Sequence, residues 1–148
     1  MILKSPVRSA PLTVMVVDDH APFRAVLKAL LAQTGAEVTE CGSAAEALRR
    51  LDEFQPDWVS MDIEMPGLDG IAATRALKSR RPQTRVVIVT QYDDPDMRTE
   101  AARAGASAYV LKDDLAALTR FFSTEVKTQA ALETNQQPNK NETTERTK

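Results

Sequence analysis

A chain of 148 residues has room for one domain of ordinary size with short tails. Its hydrophobic content of 43% and charged content of 27% are ordinary for a globular protein, and a formal net charge of -2 lacks the basic bias of a nucleic-acid or anionic-membrane binder. One cysteine, Cys41, forms no internal disulfide, and no apolar run approaches the ~20 residues of a membrane span or the core of a signal peptide, so a cytoplasmic location is expected.

Residues 1–11, with two prolines, are expected to form a flexible leader. Leu12 to Val17 is a short run rich in β-branched residues, expected as a buried strand, and it ends in Asp18-Asp19. Pro22 suits the first turn of a helix whose Phe23, Val26, Leu27, Leu30 and Leu31 recur on one face, and Gly35 stops it. Ala36 to Cys41 is a weaker alternating strand, suited to a sheet edge. Ser43 and Glu46 have capping-box spacing, and Ala44, Ala47, Leu48 and Leu51 form the inward stripe of the helix they start. Trp58 to Met61 reads as a third strand, Pro66 and Gly67 force a turn, and a helix starts near Gly70 and ends before Pro82.

Arg85 to Thr90 has four consecutive β-branched apolar residues, the mark of a central strand covered on both faces. Asp94-Pro95 opens a fourth helix and Gly105 closes it; Met97 is its only large apolar residue, so it buries little area and should be the easiest element to shift. Ser107 to Leu111 is a fifth strand, followed by Lys112, and Asp113 or Asp114 caps a last helix with Leu115, Leu118, Phe122 and Val126 inward. Five strands alternating with five helices predict a doubly wound parallel sheet over residues 12–132. Residues 133–148 contain no apolar side chain and are expected as a disordered tail.

In an open α/β sheet ligands bind at the carboxyl ends of the strands, which is where Asp18, Asp19, Asp62, Thr90 and Lys112 all fall. Three carboxylates brought together repel unless a cation sits among them, and an all-oxygen site suits Mg2+. A lysine and a hydroxyl beside it then suit an anion, and a phosphoryl group on one carboxylate meets all these demands. Imidazole is a poor ligand for Mg2+, so His20 is assigned to the start of the first helix. Trp58 and Cys41 are assigned to packing.

These motifs resemble the receiver domain of two-component response regulators: Asp18-Asp19 after the first strand, Met61-Asp62-Ile-Glu-Met-Pro-Gly-Leu-Asp-Gly70, Thr90, and Gly105-Ala-Ser-Ala-Tyr109-Val-Leu-Lys112. The resemblance covers about residues 12–130 and implies a flavodoxin-like sheet of order 2-1-3-4-5. It implies that Asp62 accepts a phosphoryl group from a sensor histidine kinase or a histidine phosphotransfer protein. Asp19, Asp62 and the backbone carbonyl of Glu64 would bind Mg2+, with Asp18 acting through water. Lys112 and Thr90 would hold the phosphoryl oxygens, and Thr90 with Tyr109 would form the switch. Glu64 and Tyr92, two residues beyond the acceptor and the threonine, would tune dephosphorylation.

Gln91 departs from the small residue usual in the family after the threonine, and its bulk is expected to restrict access by small phosphodonors. The expected output is a change in binding to a protein target, or dimerisation, through the face of the fourth helix, fifth strand and fifth helix. No contact with nucleic acid or membrane by this chain is expected, and no catalysis beyond its own phosphorylation and dephosphorylation. Two alternatives stand beside this reading: a Mg2+-dependent phosphohydrolase that passes through an aspartyl phosphate, and a truncated DNA-binding response regulator. The hydrolases of the haloacid-dehalogenase type place an Asp-x-Asp nucleophile on the first strand, whereas here the first strand ends Asp-Asp-His.

Overall fold

The computed structural model describes residues 10–135, and side chains as far as residue 132. Most of the expected leader and of the expected tail therefore lies outside the described residues. The elements alternate as β1 (Thr13–Val17), α1 (Ala21–Gln33), β2 (Glu37–Cys41), α2 (Ala44–Phe54), β3 (Trp58–Met61), α3 (Gly70–Arg80), β4 (Arg85–Thr90), α4 (Pro95–Ala104), β5 (Ala108–Leu111) and α5 (Leu115–Asn135). The strands form one parallel sheet of order β2-β1-β3-β4-β5. This is the doubly wound, flavodoxin-like arrangement, with β2 and β5 as its edges. α5 runs to Asn135, past the expected end of the domain at 132, because no proline or glycine interrupts the chain before Pro138. Among the described residues no helix is long and apolar enough to cross a membrane.

The three central strands are buried on both faces, and the two-residue period of the strands divides the core. Met15, Val17, Val59, Met61, Val86 and Ile88 face the α2, α3 and α4 side, where they pack on Ala47, Leu51, Leu77 and Ala101. Val14, Val16, Val87 and Val89 face α1 and α5 and pack on Leu27, Leu31, Leu118 and Phe122. On this second side Trp58, Phe121 and Phe122 make three edge-to-face pairs with centroids 5.0–5.8 Å apart. The run Val86–Val89 is at most 2% exposed, as expected of a central strand.

The helix starts follow their sequence signals. His20 caps α1, its ring nitrogen accepting from Phe23 N, with Pro22 in the first turn. Ser43, Asp69 and Asp94 cap α2, α3 and α4 through side-chain oxygens, and Asp114 accepts from Ala117 N at the start of α5. Two local expectations are corrected. Glu46 does not close a capping box on Ser43 N; its Oε1 accepts from Gly42 N at 2.8 Å, one residue earlier, and this bond is the first cause holding its carboxyl below the usual range. Val26 is not part of the inward stripe of α1. The stripe is centred on Leu27 and Leu31, which turns Val26 to the flank of the helix, 48% exposed.

α4 is held as lightly as its composition implies. Its only buried residues are Ala101 and Ala104, Met97 is partly buried, and an exposed ion pair, Arg75–Glu100 at 3.0 Å, ties it to α3. Gly105 ends it in the left-handed region at φ 111°, with the Lys78 side chain close beneath.

Candidate functional site

Register decides which groups meet at the carboxyl edge. Val17 pairs with Met61 and Met61 with Ile88, so Asp18 and Asp62 leave the sheet level with each other while β4 continues two residues to Thr90. Thr90 in turn pairs with Leu111, which puts Lys112 beside it, and Lys112 N donates to Thr90 O at 2.7 Å. Asp62 N donates to Val17 O at 3.0 Å and so fixes Asp62 against β1. The start of α3 is pressed on the same peptide: a Cβ at position 70 would overlap the Asp62 carbonyl oxygen, so only glycine fits.

The carboxylates of Asp18, Asp19 and Asp62 each bring an oxygen within 4.8 Å of the others. Asp18 is 2% exposed and fully engaged, accepting from His20 N at 2.9 Å and facing Lys112 Nζ at 2.7 Å. Lys112 Nζ lies 3.5 Å from Asp62 Oδ2 and 4.6 Å from the centre of the Phe23 ring. Asp62 is 6% exposed, and its pKa is pushed up to about 6, first by burial and next by the Asp18 charge, against the pull of Lys112. Its negative charge is thus only partly neutralised by the protein, and Asp19, exposed and facing solvent, adds more. Three carboxylates, no nitrogen or sulfur donor and an excess of negative charge are the chemistry of a hard divalent cation such as Mg2+.

Above Asp62 opens a cavity of about 860 Å³, whose walls include Asp19, Asp62, Glu64, Gln91, Tyr92 and Lys112. Pro22, Phe23, Val26 and Met65 give it an apolar rim, which accounts for the exposed position of Val26. Glu64 and Tyr92 are bridged across its wall, the Tyr92 hydroxyl donating to Glu64 Oε1 at 2.6 Å. Gln91 is exposed at the same opening. Thr90 is fully buried, and its hydroxyl accepts from Tyr92 N at 3.2 Å. Tyr109 donates to Tyr92 O at 2.7 Å, and Arg98 of α4 lies over its ring at 4.4 Å. The peptide groups of Tyr92 are therefore held from one side by Thr90 and from the other by Tyr109.

All the site residues inferred from sequence lie on this edge or one hydrogen bond from it. Two neighbours were not singled out. Phe23 reads as an ordinary core position, and only the turn of α1 over the edge puts its ring against Lys112. Arg24 reads as a polar helix residue, yet its Nη1 donates to Asp18 O at 2.7 Å. A contact that reaches between elements leaves no periodic signal in the sequence.

An uncharacterized transcriptional regulatory protein of Bacillus subtilis strain 168, YhcZ, is 39% identical over 102 residues, 68% of this chain and 48% of that protein. The chemotaxis protein CheY of the same strain is 35% identical over 100 residues, 67% of this chain and 83% of CheY. The chain spans about half the length of YhcZ and of the transcriptional regulatory protein DegU of Brevibacillus brevis, which is 34% identical over 113 residues. Among solved structures, a response regulator receiver domain protein from Clostridium thermocellum superposes with a TM-score of 0.66 at 30% identity, covering 78% of this chain and 97% of that one. A CheY-like receiver domain protein from Methanospirillum hungatei JF-1 gives 0.70 at 22% identity, covering 81% and 99%, a likeness of fold. The family profile described as the response regulator receiver domain matches residues 14–121, and the chain belongs to that family.

Proposed function

We propose that this chain is a phosphorylation-controlled switch in which Asp62 is the acceptor. The observation that carries the reading is the placement of Asp62: at the end of β3, walled by two further carboxylates and Lys112, and open to a cavity large enough for a phosphorylated side chain. An Asp62 oxygen attacks the phosphorus of a phosphohistidine on a sensor kinase or phosphotransfer protein. The P–N bond breaks, its electron pair stays on the imidazole nitrogen, and the product is an acyl phosphate. Asp19, Asp62 and the Glu64 carbonyl would hold Mg2+, with Asp18 acting through water; the ion supplies positive charge where the phosphoryl group gains negative charge. Lys112 contributes the same from the protein, its ammonium lying between Asp18 and Asp62.

The switch follows from the hydrogen bonds around Tyr92. If the Thr90 hydroxyl turns to a phosphoryl oxygen, the Tyr92 N–H loses its acceptor and the loop from β4 to α4 shifts. The Tyr92 carbonyl that Tyr109 holds moves with it. Tyr109 then turns inward, and Arg98 and α4, which has little core of its own, are free to follow. The face of α4, β5 and α5 thereby presents a different surface to a protein target or to a second copy.

The phosphohydrolase alternative fits less well, because the first strand ends Asp-Asp-His rather than Asp-x-Asp, and the first of these carboxylates, Asp18, is taken up by Lys112 and His20 N. The receiver part of a DNA-binding regulator remains a second reading, favoured by relatives that are transcriptional regulatory proteins of about twice the matched length. A phosphorylated histidine kinase incubated with the chain tests the proposal: label should pass to the wild type with Mg2+, and not with EDTA or to Asp62→Asn. Continuous phosphate release from small phosphomonoesters would instead establish the hydrolase.

A further inference from the structure

Asp19 is exposed, and among the described residues its carboxylate has no hydrogen bond or ion pair to fix it. What limits its direction is therefore its backbone, and the peptide between Asp18 and Asp19 is held at its carbonyl, with the preceding peptide held at its N–H. Asp18 N donates to Cys41 O at 3.1 Å, and Asp18 O accepts from Arg24 Nη1 at 2.7 Å. Arg24 is itself anchored: Nε donates to Glu40 Oε1 at 3.1 Å, and the side chain is only 19% exposed. Gly42 lies beside the guanidinium, where an added Cβ would stand 3.4 Å from Nη1.

We propose that Arg24 is a positioning residue for the acidic pair. Its planar fork spans Glu40 and the Asp18 carbonyl, and so sets the direction in which Asp19 presents its carboxylate to a divalent cation. Glu40 has a second effect. A lone guanidinium one residue from Asp19 would repel the cation, and the Glu40 carboxylate cancels that charge. Lys28 also reaches Glu40, at 3.7 Å, but touches nothing in the acidic pair. The inference rests on the metal site proposed above, and the test separates the two.

Mg2+ alone is titrated into the full chain by calorimetry, well below the melting temperature, for wild type, Asp19→Asn, Arg24→Ala, Arg24→Lys and Lys28→Ala. Arg24→Ala should weaken Mg2+ binding by about tenfold, the usual scale for a residue that orients a metal ligand. Arg24→Lys keeps the charge but reaches only one of the two partners, and should fall between wild type and Ala. Lys28→Ala should stay within about twofold of wild type, since it removes a neighbouring charge without touching Asp18. Asp19→Asn binding as tightly as wild type would refute the metal site itself. Loss in Asp19→Asn with wild-type affinity in Arg24→Ala would refute the role of Arg24. Should Arg24→Ala not fold, wild-type affinity in Arg24→Lys overturns the two-point anchor equally.

Discussion

Removing the charge of Asp62 should make the protein more stable, by an amount that depends on pH in a defined way. The carboxyl has a pKa of 3.8 in its unperturbed form and about 6 in the fold, raised first by burial and then by Asp18. The folded protein therefore binds this proton more tightly than the unfolded chain does. Stability from this group is fully present below about pH 4 and is lost as pH rises through about 6. A shift of roughly two units corresponds to about 3 kcal/mol at full ionisation. Asparagine stands in for the protonated acid, and Lys112 is not orphaned by the change because Asp18 remains 2.7 Å away. Asp62→Asn should thus match the wild type near pH 4 and exceed it by about 3 kcal/mol above about pH 7. For a domain of this size that is about 10 °C in melting temperature. Urea and thermal unfolding in EDTA, across that range, provide the assay. A difference that stays constant with pH, or a variant less stable than wild type at neutral pH, would refute the electrostatic account of the site.

Tyr92→Ala should shorten the lifetime of the phosphorylated protein by about tenfold, equivalent to ~1.4 kcal/mol of barrier, because the ring bridged to Glu64 shields the phosphorus from water; phosphate loss from the purified phosphoprotein reads it, and an unchanged or slower rate contradicts it. Thr90→Ala should still accept phosphate but fail to move α4, so amide exchange over residues 92–110 should respond to phosphorylation in the wild type and not in the variant. Identical responses would break the proposed coupling. Gly70→Ala should destabilise the fold by roughly 2–3 kcal/mol in chemical unfolding, since the new Cβ overlaps the Asp62 carbonyl and displaces the start of α3; a loss under about 0.5 kcal/mol would mean the loop yields freely.

Much of this was written in the chain where a local pattern carries it. The run Val86–Val89 reads as a central strand because it is buried on both faces, and the polar residues that end four strands fall on one edge because parallel strands share a direction. Asp94-Pro95 and Gly105 mark α4 to the residue, since caps act within a single turn. What was not legible depends on the angle at which elements pack. Val26 follows the spacing of an inward stripe yet lies at the rim of the cavity, and Glu46 bonds Gly42 rather than Ser43. The reach of Arg24 from α1 to Glu40 on β2 and to the Asp18 peptide exists only once the sheet is assembled.

Asp62 itself is expected to carry the phosphoryl group. The phosphoprotein, made with a phosphorylated histidine kinase and Mg2+, can be treated with hydroxylamine, which cleaves an acyl phosphate and leaves a hydroxamate at the residue that bore it. Peptide mass spectrometry should then find the hydroxamate at Asp62 and nowhere else, with none in Asp62→Asn. A hydroxamate at Asp18 or Asp19, or phosphate that resists hydroxylamine, would contradict the account.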